Sequence, residues 1–312
     1  MKPTIQLSAP HLRSPRTSRS IMTDVLIGLV PPAVGAIGYF GWPAVWLLSV
    51  TMAVCQITES LCLLCRRRSG FDASALVTGA LLALSLPAGT PLWAAALAGV
   101  FAIAVVKQLL GGIGRNLLNP AMAGRALLLV ALPQVVSGYS LPDAVSSATP
   151  LSQIGQLELL PMLFGQKNGS IGETSGVLIL LGGAYLYCRG VIRLRTPVAC
   201  LAAFSAVIWI FGGDGWFTGN VTVHLLSGSI LLGAFFLVTD YASAPLTAGG
   251  NVLFAVGVGI LTAILRLAGP YPEGVCFAIL LMNLLAPLLE WLTRPAVYGT
   301  LPRRHPSYAV HS

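Results

Sequence analysis

The sequence predicts an all-α, polytopic membrane protein with about ten transmembrane helices in two inverted five-helix repeats. Three observations support this fold: the composition, the length of the apolar blocks and the positions of the arginines. Of the 312 residues, 55% are hydrophobic and only 9% are charged, and the mean hydropathy is +0.82. A soluble domain carries about 25% charged residues. Because so few charges cannot cover a water-facing surface, most of the chain must face lipid or its own interior.

Ten apolar blocks have roughly the length that a membrane-spanning helix needs, which is about 20 residues. The third and sixth blocks are the shortest, and short spans interrupted by glycine are expected where helices break around an interior site. The blocks lie at residues 22–39, 43–65, 73–87, 92–110, 117–133, 175–188, 197–212, 222–239, 252–267 and 274–292.

The arginines predict which side of the membrane each loop faces. Lysine and arginine concentrate in cytoplasmic loops, and a cytoplasmic N-terminus followed by ten crossings places most arginines in the cytoplasm. No small-residue cleavage site follows the first block, so it is interpreted as a permanent helix and not as a signal peptide. The predicted parts are a cytoplasmic tail at 1–21, a first membrane repeat at 22–133, an outer loop at 134–174, a second repeat at 175–293 and a cytoplasmic tail at 294–312.

Two stretches of the chain resemble each other. Residues 79–92 and 233–246 both begin with Gly-Ala and end with Ala-x-x-Pro-Leu at the same spacing. They lie on the third and eighth blocks, which five spans per half would carry across the membrane in opposite directions. This arrangement is typical of an inverted repeat, which frames a site near the bilayer midplane. The alternative is chance similarity between segments rich in glycine, alanine and leucine.

A glycine turn and a helix start follow the fourth block and predict an interior site. The asparagines there cap the next helix or hydrogen-bond a planar ligand, and the sequence leaves both interpretations open. In the other half, Thr239 and Asp240 end the repeat motif that begins with Gly233 and Ala234. The predicted interior site, for a planar ligand or an ion, therefore comprises Gly112, Asn116, Asn119, Thr239 and Asp240.

The outer loop contains the small, hydroxyl-rich run Asp143-Ala144-Val145-Ser146-Ser147-Ala148-Thr149. Most runs of this kind are turns in which the hydroxyls bond nearby backbone groups. The residues beside Thr149 are too small to shield its hydroxyl. The location on the outer face favours a functional interpretation over a simple turn.

Other chemistry is not indicated by the sequence. Cys62-x-x-Cys65 has metal or redox spacing, but no second pair completes a four-ligand site, so the cysteines are interpreted as packing residues and no metal is predicted. No hydrolase triad, carboxylate pair or phosphate-binding loop occurs, so no catalytic residue is assigned. The arginines form no continuous basic face for nucleic acid. The acidic residues of the apolar blocks lie near block ends, where side chains usually reach water: Asp24, Glu59, Asp240 and Glu290.

Three motifs of the chain resemble those of one protein family. They are Gly111-Gly112-x-Gly114-x-Asn116-x-x-Asn119-Pro120-Ala121-Met122, then Gly233-Ala234-Phe235-Phe236-x-x-Thr239-Asp240, and finally Tyr271-Pro272-Glu273-Gly274-Val275 with Asn283. With them, the chain from about Met22 to Arg294 resembles the D subunits of Rnf-type electron-transport complexes. These complexes are membrane-bound ferredoxin:NAD oxidoreductases, and their D subunits are related to the B subunits of sodium-pumping NADH:quinone reductases.

The resemblance implies a covalent flavin. The family motif Asp-Gly-x-Ser/Thr-Gly-Ala-Thr aligns with the run that ends at Thr149, and its last threonine is joined to FMN through a phosphoester. Ala144 and Ser147 stand where glycines are typical. The implied attachment motif consists of Asp143, Ser146, Ser147, Ala148 and the FMN-bearing Thr149. The related sodium-pump subunit also suggests a second, non-covalent flavin such as riboflavin.

The resemblance further implies a role in a complex. The chain would be an electron-carrying subunit of an ion-translocating oxidoreductase in a bacterial inner membrane, with its flavin loop in the periplasm. Its partners would be other membrane and peripheral subunits, including a second flavin-carrying subunit and iron–sulfur subunits, together with a flavin transferase and membrane lipid. The alternative function is a channel or secondary transporter of inverted-repeat architecture without a redox role. A purely structural scaffold would leave the glycine–asparagine turn and the Thr149 loop without purpose.

Overall fold

Every regular element that the structure describes is a helix. The computed structural model describes residues 17–67, 73–109, 112, 116–136, 163, 169–213, 215–268 and 274–295. The helices are α1 Ser18–Phe40, α2 Trp42–Cys65, α3 Ser74–Leu84, α4 Leu92–Val100 continuing as the π-helix Phe101–Leu109, α5 Pro120–Ala131, α6 Gly176–Cys188, α7 Arg195–Phe211, α8 Val221–Leu226, α9 Ile230–Leu232 continuing as the π-helix Gly233–Leu237, α10 Ala248–Ala268 and α11 Val275–Leu292. The turns Pro133–Val136 and Ile171–Glu173 complete the described helices.

The prediction of an all-helical membrane protein is confirmed for the described residues. Helical structure occurs within each of the ten predicted blocks. Five of these helices are long and apolar enough to cross a membrane: Ser18–Phe40, Trp42–Cys65, Leu92–Leu109, Ala248–Ala268 and Val275–Leu292. The others are shorter, so the number of crossings and the inversion of the two halves stay predictions.

Helix α3 is short and lies in the interior. It has 11 residues, which at 1.5 Å per residue gives about 16 Å. Ten of them are buried. The Ser85 hydroxyl donates to the Leu82 carbonyl oxygen at 2.7 Å, and Pro87 cannot continue a helix because it has no N–H group. Helix α3 therefore meets protein and not lipid on nearly all sides.

The eighth predicted block is a broken helix. Helix α8 ends at Leu226, and Gly228 turns the chain with a φ of +73° before α9 begins. A positive φ of this size favours glycine. The second part continues as a π-helix, a form that often occurs at functional sites. Irregular backbone at membrane depth is tolerated where it is buried in protein or lines a cavity.

The two halves of the chain pack in corresponding ways. Helix α2 packs on α4, and α7 packs on α10. Helix α4 contacts α5, and α10 contacts α11. The halves meet where α1 packs on α6 and where α5 packs on α11. An internal repeat predicts this correspondence, because equivalent helices then make equivalent contacts.

Helices α1 and α6 approach each other backbone to backbone. A Cβ atom on Gly182 would overlap the Gly28 carbonyl oxygen. We expect Gly182→Ala to lower the thermal stability of the purified protein in detergent, since overpacking typically costs about 1–3 kcal/mol. Gly38→Ala is the matched control, because no atom lies within 4 Å of a Cβ there and alanine is the better helix former. A Gly182→Ala variant as stable as the wild type would contradict this close approach.

Candidate functional site

A cavity lies where α1, α3, α5 and α6 meet the two π-helices. Its volume is about 720 Å³, a figure that includes open solvent at its mouth. Its apolar wall includes Met22, Val25, Val77, Leu81, Leu186 and Phe236, and its polar wall is formed by Ser74, Thr78, Lys107, Asn116, Asn119, Thr239 and Asp240. An apolar cavity with a few converging polar groups is the usual form of a small-molecule site.

Four of the five residues of the predicted interior site line this cavity. Asn116 and Asn119 reach it from the segment before α5, and Thr239 and Asp240 reach it from the segment after the second π-helix. Gly112 is not among the lining residues. Its N–H group donates to the Lys107 carbonyl oxygen at 2.9 Å, with a φ of +91°, so it ends the first π-helix.

Asn119 both caps a helix and faces the other half of the chain. Its Oδ1 accepts from the N–H groups of Ala121 and Met122 at 3.1 and 3.3 Å, as an N-cap residue does. Its Nδ2 donates to Asp240 Oδ2 at 3.2 Å. The capping interpretation is therefore confirmed, while a hydrogen bond from Asn119 to a planar ligand stays a prediction.

Asn116 differs from Asn119 in having a free acceptor. Its side chain is buried, and its Oδ1 has no hydrogen-bond partner among the described residues. An unsatisfied buried acceptor is costly. This oxygen is therefore available to a donor that enters the cavity.

Asp240 lies beyond the end of the second π-helix and is held by its own turn. It accepts from the Ala242 N–H group at 3.2 Å and from the Ser243 hydroxyl at 2.9 Å. Burial raises the pKa of its carboxyl, and these two donors and the charge of Lys107 oppose that rise. A second, open cavity shares Thr239 and Asp240 and is bordered by Arg193 and Arg195, so Asp240 reaches both spaces.

Asn283 was seen in the sequence only as a family landmark, and the structure places it beside the site. It is fully buried on α11. With its amide oriented by its neighbours, the nitrogen donates to the Ile279 carbonyl at 2.9 Å and the oxygen accepts from the Asn119 N–H group at 3.1 Å. Helix α11 of the second half therefore holds the N-terminus of α5 of the first half in place.

The interpretation of Glu59 as a side chain that reaches water is wrong. Glu59 is 2% exposed and its Oε1 lies 2.5 Å from Lys107 Nζ, which is equally buried. The Lys107 ammonium also donates to Ser74 Oγ at 2.7 Å. In the sequence, the only sign of this pair is that Lys107 lies near the end of an apolar block, and this position does not identify Glu59 as its partner. Asp24 is also buried and pairs with Arg189 Nε at 3.1 Å.

The predicted flavin-attachment run lies outside the described residues. This concerns Asp143, Ser146, Ser147, Ala148 and Thr149. The loop is described where it returns to the helices. There the Ser175 hydroxyl donates to the Leu163 carbonyl oxygen at 3.4 Å.

Comparison with known proteins identifies the family. The model of the NQR2, RnfD, RnfE family matches residues 5–299. The D subunit of the Na(+)-translocating ferredoxin:NAD(+) oxidoreductase complex of Acetobacterium woodii is 41% identical, over 94% of this chain and 94% of its own. The D subunit of the proton-translocating ferredoxin:NAD(+) oxidoreductase complex of Clostridium ljungdahlii is 38% identical, over 94% and 95%. The D subunit of the ion-translocating oxidoreductase complex of Stutzerimonas stutzeri is 37% identical, over 93% and 94%. The chain therefore belongs to the NQR2, RnfD, RnfE family.

Proposed function

We propose that this chain is a flavin-carrying membrane subunit of an ion-translocating ferredoxin:NAD oxidoreductase complex. It would pass electrons between the ferredoxin and NAD branches of the complex, coupled to ion movement. The observation that carries the proposal is the cavity in which Asn116 and Asn119 of one half meet Thr239 and Asp240 of the other. The names of the similar proteins, matched over nearly their whole length, supply the class of reaction.

The first cofactor in this proposal is FMN joined to Thr149 through a phosphoester, added by a flavin transferase. Its support is the hydroxyl-rich run and the match to the family motif. Thr149 acts as an acceptor hydroxyl and not as an acid–base catalyst. A covalent tether keeps the flavin at high effective concentration near the membrane surface, and the redox chemistry belongs to the cofactor.

The second cofactor is a non-covalent flavin, such as riboflavin, in the cavity. The lining residues fit an isoalloxazine ring. Its apolar edge and faces would contact the wall that contains Leu186 and Phe236, while its ring carbonyls accept hydrogen bonds from amide or ammonium groups. Its ring N–H needs an acceptor, and the unpartnered Asn116 Oδ1 and the Asp240 carboxylate are the acceptors that the lining offers.

The proposed setting is a bacterial inner membrane with both termini in the cytoplasm and the Thr149 loop in the periplasm. The partners would be the other membrane and peripheral subunits of the complex, including a second flavin-carrying subunit and iron–sulfur subunits. The cavity would then open near the cytoplasmic face and the covalent flavin would lie on the opposite face. About 30 Å of hydrocarbon separates those faces, so an electron path needs an intermediate carrier such as the cavity flavin.

Intact mass and visible absorbance of the purified chain test this proposal. We expect the mass to exceed that of the polypeptide by one FMN group, and acid extraction to release a second flavin. A chain with the mass of the bare polypeptide and no visible absorbance would contradict the redox role and favour the transporter.

Cysteine labelling tests the proposed orientation. In intact cells, a membrane-impermeant maleimide should label Gln166→Cys and should label Ser69→Cys only after the inner membrane is permeabilised. The unmodified chain is the control, because its exposed Cys65 and Cys188 lie at helix ends that the proposal places in the cytoplasm. Labelling of both introduced cysteines from the same side would contradict the orientation.

A further inference from the structure

The most deeply buried ion pair of the described chain borders the cavity. Lys107 is on the first π-helix and is one of the lining residues, while Glu59 is on α2, behind the lining. Both side chains are 2% exposed, and Nζ and Oε1 are 2.5 Å apart. In a low-dielectric interior, a single unpaired charge has a high free energy. Each of these two charges therefore depends on the other.

Lys107 is placed to respond to charge inside the cavity. Its ammonium is held by Glu59 and by Ser74 Oγ at 2.7 Å, and Ser74 also lines the cavity. Asp240 belongs to the part of the lining that comes from the other half. The charge of Lys107 acts on it as well and favours its ionised form. The ammonium therefore lies between a carboxylate behind the wall and the space where a flavin would bind.

Glu59 is placed to hold a cation when Lys107 leaves it. Its Oε1 accepts from Lys107 and also from Gln108 Nε2 at 3.1 Å. Its other oxygen, Oε2, is buried and has no hydrogen-bond partner among the described residues, and the same is true of Gln56 Oε1. Gln56 and Glu59 are three residues apart on α2, so their side chains are neighbours on the helix surface. An unpartnered carboxylate oxygen with one unpartnered amide oxygen on the neighbouring side chain suits a proton or a hard cation.

We propose that the Lys107–Glu59 pair is a redox-driven switch for ion uptake. This inference rests on the flavin that is proposed for the cavity. Each electron that reaches the flavin ring from the ferredoxin branch adds one negative charge to the cavity. That charge attracts the Lys107 ammonium, which moves away from Glu59. The carboxylate left behind is uncompensated and binds one proton or one sodium ion. When the electron leaves towards the NAD branch, Lys107 returns and displaces that one cation.

The physical basis of the switch is charge balance in a dry interior. Without the cation, the electron would leave one unbalanced negative charge beside the cavity, and the low dielectric makes that state costly. With one cation bound for each electron, the net charge of the flavin, Lys107, Glu59 and the cation together does not change. The pair therefore couples electron arrival to cation binding without needing a separate conformational change of a helix.

Redox titration of the cavity flavin in the purified, detergent-solubilised complex tests this proposal, with dithionite as reductant. Lys107→Gln should weaken binding of the reduced flavin at least tenfold relative to the oxidised flavin. A tenfold change lowers a one-electron midpoint potential by about 59 mV, and the one-electron couple is the one in which the cavity gains a single charge. Lys107→Arg keeps the charge and should restore most of the wild-type potential. Arg189→Gln is the matched control, since it also removes the cation of an ion pair but lies outside the cavity lining.

Glu59→Gln tests the cation step separately. In the wild type, the midpoint potential of the cavity flavin should change with pH or with sodium concentration, and in Glu59→Gln this dependence should disappear. The double variant Glu59→Gln/Lys107→Gln leaves no single buried charge, so it is expected to fold even if a single variant does not. It should combine the lowered potential with the lost cation dependence.

The outcomes separate the switch from the function on which it rests. If the wild-type complex holds no non-covalent flavin, both the proposed cavity flavin and the switch are overturned. If the flavin is present but the Lys107 variants keep the wild-type potential, only the switch is overturned. The same holds if the Glu59 variants keep the full dependence on pH or sodium.

Discussion

Thr149→Ala is expected to abolish the flavin fluorescence of this chain in a denaturing gel under ultraviolet light. A phosphoester needs a hydroxyl oxygen, and alanine has none, so the loss should be complete and not partial. Thr149→Ser keeps a hydroxyl and should retain part of the fluorescence. The intact mass of Thr149→Ala should equal that of the bare polypeptide with the one substitution.

Ser152→Ala is the matched control for Thr149→Ala. Ser152 is a hydroxyl residue of the same predicted outer loop, three positions after Thr149, and it lies outside the predicted attachment motif. The control should fluoresce like the wild type. A fluorescent Thr149→Ala band would place the attachment on another residue and would remove the motif alignment as a guide to this loop.

The positions of the helices could be predicted because burial in lipid constrains composition over whole segments. Each of the ten apolar blocks contains helical structure. The edges of α2, and of α4 together with its π-helix, fall within a residue or two of the predicted blocks. What composition could not reveal was how far each helix continues. Helix α3 is 11 residues long although its block runs further, because Ser85 and Pro87 end the helix while the apolar run goes on.

The break between α8 and α9 shows a second limit of the sequence. Residues 227–229 read Ser-Gly-Ser inside an apolar block, and such residues occur both in continuous membrane helices and at breaks. The π-helical continuation of α4 and α9 has no separate composition signal either. These local backbone conformations depend on how neighbouring helices pack. The pattern of residues along one segment does not reveal that packing.

The candidate interior site was predictable in part, through the similar stretches of the two halves. Asn119 and Asp240 are 121 residues apart and form a direct hydrogen bond, and only the matching motifs of the two halves linked them in the sequence. Lys107 and Glu59 have no such motif link. A lysine and a glutamate near the ends of different apolar blocks look like two side chains that reach water, and only the packing of α2 on α4 shows that they meet in the interior.

The contact between Asn119 and Asp240 joins the two halves of the chain at the cavity. Asn119→Ser keeps an N-cap acceptor for α5 but removes the amide that donates to Asp240, and Asp240→Asn keeps the shape but removes the charge. Asp240 is a proposed charged acceptor for the ring N–H of the flavin, and Asn119 holds that carboxylate in place. A hydrogen bond to a charged group contributes about 1.5–3 kcal/mol, so we expect each variant to bind the non-covalent flavin about tenfold to hundredfold more weakly. The measurement is the amount of acid-extractable flavin per tethered FMN in the purified protein.

Asn220→Ala separates a role in flavin binding from a role in helix capping. Asn220 caps α8 by accepting from the Val223 N–H group at 3.3 Å, and it does not line the cavity. Its replacement should cost about 1 kcal/mol of stability and leave both flavins in place. In the Asn119 and Asp240 variants, the Thr149-linked FMN should remain, because the proposed topology places Thr149 on the opposite face of the membrane. Full retention of the extractable flavin in both variants would show that the amide and the carboxylate only hold the two halves of the chain together.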